Sequence, residues 1–218
     1  MDPQASPGAE LSRDYMLGLE TIRRWKTFFL VLTLLALATH VGAFVAVRHF
    51  NIISAPPADD ASAAAATTQR ADSERAHDIL AVALPSMEFV GRATALLVSL
   101  ALLLACFVAL AGRLPAAGFI RGFFWSLIVL ALLLPWERLT PRAARMPGVF
   151  TDVAALESAV PGATPGPTGL TDQIPFHMRF VAYPVVAAAL LVFANGGFRR
   201  SYRDAQSRPG GSIPMRVV

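Results

Sequence analysis

Cysteine and lysine are almost missing from this chain, with Cys106 and Lys26 the single representatives of each. One thiol excludes an intrachain disulfide and any redox chemistry through a cysteine pair. Charge is scarce as well: Asp, Glu, Lys and Arg make up 16% of the residues, against roughly 25% in an ordinary soluble domain. No Asp or Glu lies in the interior of any long apolar run, which weighs against ion-coupled transport, because such relays place a carboxylate there. Gly-x-Ser-x-Gly, His-Glu-x-x-His and phosphate-cradling glycine loops do not occur, so the common hydrolase, metalloprotease and nucleotide signatures are missing.

What fills the chain instead is apolar. Over 218 residues the hydrophobic share is 55% and the mean hydropathy is +0.51. Two apolar stretches, Ala93–Gly112 and Ala116–Trp136, meet at a hinge of Arg113, Leu114 and Pro115. About 20 apolar residues at 1.5 Å rise cross the roughly 30 Å hydrocarbon core of a bilayer. With two further runs, the pattern predicts an all-α, polytopic membrane protein: four transmembrane helices near 27–47, 90–112, 116–135 and 179–198, with sizeable extracytoplasmic loops at 48–89 and 136–178. Residues 1–26 and 199–218 are then tails.

Taken in order, residues 1–10 read as an unstructured start, followed by Leu11, Tyr15, Leu19, Ile22 and Trp25 on one face of an amphipathic helix. The first span follows Arg23, Arg24, Trp25 and Lys26, an interfacial charge cluster. An uncleaved anchor is preferred to a signal peptide, because the apolar run exceeds a signal core and acids precede it. Residues 55–68 lack periodicity and read as loop, 69–84 as a helix, and Pro85 as its end or a kink. Glu88 and Arg92 stand at i,i+4. The second large loop holds a possible short helix near Asp152–Ala159 and the turn-rich Pro161–Pro167. In the last span Pro184 sits early enough to be absorbed by the first turns.

Four spans put both termini on one side. That side, with the hinge, holds eleven basic and five acidic residues, and the loop side eight basic and ten acidic. The dense clusters at span ends, Arg23, Arg24 and Lys26 with Arg199, Arg200 and Arg203, predict cytoplasmic termini by the positive-inside rule. Arg48, Arg92, Arg138 and Arg179 argue mildly the other way. Eighteen of nineteen basic residues are Arg and Ala is abundant, a bias associated with GC-rich bacterial genomes, so the expected location is a bacterial inner (cytoplasmic) membrane. The basic residues are dispersed around span ends, so no nucleic-acid partner is expected.

Four histidines, His40, His49, His77 and His177, fall in the outer half of this arrangement, and Glu74-x-x-His77 has carboxylate-metal spacing. Only one such pair exists, and His40 and His177 differ in depth, so neither a metal nor another cofactor is expected. His40 is the intramembrane polar candidate. Arg23, Arg24, Lys26, Arg121, Arg199 and Arg200 are candidates for lipid headgroups. Ala101, Ala105 and Ala109, extended by Gly112, form a small-residue groove for helix packing, with Leu103 placed on the lipid side.

No residue set here is catalytic, and an enzyme is not the favoured reading. The sequence points to a non-enzymatic integral membrane subunit or scaffold of a membrane complex, whose partners are the bilayer and another protein or a second copy of itself. The alternative is a small-solute transporter or channel using His40 and Pro184, and less so a membrane enzyme using outer His and acidic residues.

Overall fold

The computed structural model describes residues 7–50, 63–134, 149–150, 156 and 178–207. Among these there is no strand. Four helices carry the chain: α1 Pro7–Phe50, α2 Ala63–Ala111, α3 Ala117–Leu133 and α4 Tyr183–Gln206, the last entered through a wide π turn at Met178–Ala182. Pro184 accounts for that turn, since it has no N–H to bond the carbonyl one turn earlier. α1, α2 and α4 contain apolar segments long enough to cross a membrane, and the 17-residue α3 is a shorter apolar helix. The molecule is a helical membrane protein.

Each helix buries one face. On α3 it is a row at alternating spacings of three and four, Phe119, Gly122, Ser126, Val129 and Leu133, and on α4 with its π turn it runs Phe180, Pro184, Ala187, Leu191, Ala194, Phe198, Ser201 and Ala205, with Tyr202 beside it. The opposite faces expose large apolar side chains, among them Phe28, Leu104, Phe124 and Phe193. Outward apolar surface on this scale matches lipid tails and not water.

Several boundaries differ from those expected. α1 starts at Pro7 and α2 at Ala63, so Ala63–Thr68, expected as loop, is helical. Pro85 neither ends nor interrupts α2. Pro85 leaves only the Ala81 carbonyl without its i+4 donor, a loss that a helix of this length absorbs. The hinge after α2 closes as a Schellman turn: Leu114 N donates to Ala109 O at 2.8 Å and Arg113 N to Leu110 O at 3.1 Å, with Arg113 at φ 52°. Arg113, not Gly112, takes the left-handed position. The start before Pro7, residues 51–62, most of 135–177 and the tail from Arg208 lie outside the described residues, with them the short helix expected around Asp152–Ala159 except Leu156.

Two compact units partition the chain. The first comprises Met1–Val31, Thr94–Leu130 and Ala189–Val218, the second Leu32–Ala93 and Ala131–Ala188. In the first, α3 and α4 approach at glycine. A Cβ on Gly118 would collide with the Ser201 hydroxyl and lie 2.7 Å from Gly197 O, and one on Gly122 would lie 2.9 Å from Ala194 O. The Phe119 and Phe198 rings pack edge to face beside this crossing, centroids 5.1 Å apart. In the second, Ala43, Phe44, Leu84, Leu156 and Phe180 form a core flanked by Leu80 and Val181, with Phe44 stacked on Phe180 at 4.6 Å.

Candidate functional site

The first unit carries a basic cleft of about 680 Å³ between α1 and α4. Its α1 wall is Arg23, Arg24, Lys26 and Thr27, and its α4 wall is Arg199, Tyr202, Arg203 and Gln206. Helical period explains the convergence on α1. The buried row runs Leu19, Ile22, Lys26 and Leu30, so Lys26 takes an inward position and is 1% exposed, while Trp25 turns outward at 57%. Lys26, a headgroup candidate by its sequence, is thus enclosed, while Trp25 faces outward.

Lys26 is held from two sides. Its Nζ donates to Asn195 Oδ1 and stands 4.0 Å from the centroid of the Phe198 ring. A buried ammonium needs hydrogen-bond acceptors or opposite charge, and a ring face supplies part of that through its quadrupole. Arg23 is likewise ordered, its guanidinium 4.8 Å from the Tyr202 ring centroid. Tyr202 in turn stacks on Phe198 and accepts a bond from Gln206 Nε2 at 3.3 Å. Among the described residues, Arg24 alone of the cleft's cations has a carboxylate, Glu20, at 2.7 Å, and no Asp or Glu lines the cleft.

Of the six headgroup candidates, the structure brings together Arg23, Arg24, Lys26 and Arg199 in this cleft. Arg121 and Arg200 are exposed and do not line it. Asn195 and Arg203 also belong to the site; the sequence marks Arg203 only as an orientation charge and does not single out Asn195. Asn195 stands one turn before Arg199 on the same helix, and an amide inside an apolar run is the signal that could have marked it.

The second unit holds the other polar centre. His40 is 4% exposed; its Nδ1 lies 3.2 Å from Ala36 O, its ring packs on Phe150 at 4.7 Å, and Nε2 has no hydrogen-bond partner among the described residues. Nearby, Arg92 pairs with Glu88, donates from Nε to Leu133 O at 2.9 Å and lies 5.6 Å from the Phe150 ring centroid. Arg92 thus caps the carbonyl end of α3, where a cation is favoured. Glu74 and His77 lie on α2, where His77 Nδ1 is 3.9 Å from the Asp78 carboxylate. The side chain of His49 and all of His177 lie outside the described residues. Among the described residues no three His, Cys, Asp or Glu side chains converge as metal ligands.

The small-residue positions divide. Ala105 and Ala109 are fully buried, Ala101 is half-buried, and a Cβ on Gly112 would lie 3.1 Å from the Tyr15 ring. Leu103 is half-buried, and the outward residue is Leu104 at 52%. Comparison of the chain with protein-family models, curated proteins and solved structures finds no match.

Proposed function

We propose that the protein is a non-enzymatic integral membrane subunit or scaffold. One observation carries the reading: polar groups within the apolar helices bond to a neighbouring helix. Lys26 reaches Asn195, the Gly118 N–H donates to the Ser201 hydroxyl at 3.0 Å, and the Arg92 guanidinium reaches Leu133 O. In lipid, where apolar burial drives little, such bonds and close backbone contact set which helices associate. Their use here supports a fixed frame whose outward apolar faces are available to lipid or to another membrane helix. A photo-crosslinking residue at the exposed Phe193, activated in native membranes, should capture a discrete partner or a second copy. A monodisperse single chain with no adduct would sink the proposal.

The same reading places the protein in a cytoplasmic membrane with both termini cytoplasmic, supported by the basic excess beside Thr27 and after Phe198. Alkaline phosphatase fused within 55–65 should be active and the same enzyme fused after residue 207 inactive; the opposite result reverses the orientation. A solute transporter or channel is the second reading, favoured by buried His40, whose Nε2 has no partner among the described residues. Solute flux into liposomes that disappears in His40→Leu would establish that reading over the scaffold.

A further inference from the structure

The cleft between α1 and α4 has more positive charge than its own residues balance. Arg23, Arg199 and Arg203 have no carboxylate partner among the described residues, and Lys26 is shut away from solvent beside them. Like charges gathered on one wall repel, and the repulsion is relieved by an anion that touches several of them at once. We propose that this cleft binds a phosphate-bearing anion, with Arg23, Arg199 and Arg203 as the cations that touch it and the enclosed Lys26 as a charge behind them. The inference does not depend on the scaffold reading.

Three features select phosphate. The volume, about 680 Å³, is far larger than a halide requires and accommodates a phosphoryl group with its substituents. Guanidinium forks suit paired phosphoryl oxygens, and a lysine adds a compact point charge. The cations are also arranged beforehand: the Tyr202 ring positions Arg23, and Asn195 with Phe198 positions Lys26. Tyr202 accepts from Gln206, which leaves its own O–H to donate to a phosphoryl oxygen.

The phosphate has two chemical sources, an anionic phospholipid headgroup or a soluble phosphate compound. Location favours the lipid, because the cleft adjoins the ends of apolar segments and the outward Trp25 and Phe28 provide apolar surface beside it. Both sources present the same phosphoryl oxygens to the same cations.

The test uses the full chain in dodecyl maltoside after delipidation, titrated separately with dioctanoyl phosphatidylglycerol, dioctanoyl phosphatidylcholine and inorganic pyrophosphate. Binding is read by native mass spectrometry. One equivalent of phosphatidylglycerol should bind about tenfold more tightly than phosphatidylcholine, and the double variant Arg199→Gln/Arg203→Gln should lose about tenfold of that affinity. Both arginines are exposed, so the variant leaves the helix packing intact; Arg121→Gln, outside the cleft, should bind as the unaltered protein does. Binding of phosphatidylglycerol without pyrophosphate supports the lipid source, and saturable pyrophosphate binding supports the soluble one. No saturable binding of either anion, equal binding of phosphatidylcholine, or equal losses in Arg121→Gln and the double variant would each overturn the proposal.

Discussion

Lys26 and Trp25 are neighbours in the chain, yet one is sealed between helices and the other faces outward. The reason lies in continuing a period: from Tyr15, Leu19 and Ile22 the next inward position at three-four spacing is 26, not 25. Helix geometry turns the lysine inward, and the acceptor that makes its burial tolerable is Asn195, 169 positions away. A single sequence carries no trace of that pairing. The consequence is testable on stability. Asn195→Leu leaves a buried ammonium short of an acceptor and should cost about 1.5–3 kcal/mol. Lys26→Met added to it should recover most of the loss, because an apolar pair of similar volume replaces the polar one. Melting in detergent would measure both; a double variant no more stable than Asn195→Leu alone would show that the bond is not what holds α4 against α1.

Among the elements, the helices themselves were legible because apolar runs of spanning length admit few other structures, and Pro184 was placed correctly in a first turn. The ends were less so. Ala63–Thr68 has no apolar periodicity, but alanine is the strongest helix former, and a helix already nucleated extends through it at little cost. Pro85 reads as a breaker because it removes one hydrogen bond, whereas a 49-residue helix loses only that bond and continues through it. The α3–α4 crossing was missed although Gly118 and Gly122 stand at the four-residue spacing of close helix contacts. Its geometry gives a sharp contrast between glycines. Gly122→Ala puts a methyl against the Ala194 carbonyl and should destabilise by about 1–3 kcal/mol. At Gly42 a Cβ meets nothing within 4 Å, so Gly42→Ala should raise stability by about 0.5–1 kcal/mol through helix propensity. Equal melting shifts for the two would contradict the crossing.

For the molecule as a whole, composition announced the surroundings, since outward faces rich in Leu, Val and Phe are stable only where the solvent is itself apolar. The convergence of charged residues into a cleft could not be read from the chain, because it depends on how α1 and α4 pack. The burial of Lys26 has a further effect on the chain's chemical reactivity. It is the only lysine in the sequence, and at 1% exposure it leaves the folded surface without a side-chain amine. Acylating reagents therefore act on this protein as a conformational probe rather than as a surface label. In dodecyl maltoside, Lys26 should stay unmodified by a water-soluble N-hydroxysuccinimide ester and acylate fully after denaturation in dodecyl sulfate, as peptide mass spectrometry would record; rapid acylation of the folded chain would contradict its enclosure. Any process that parts α1 from α4 would then be timed by a single nucleophile.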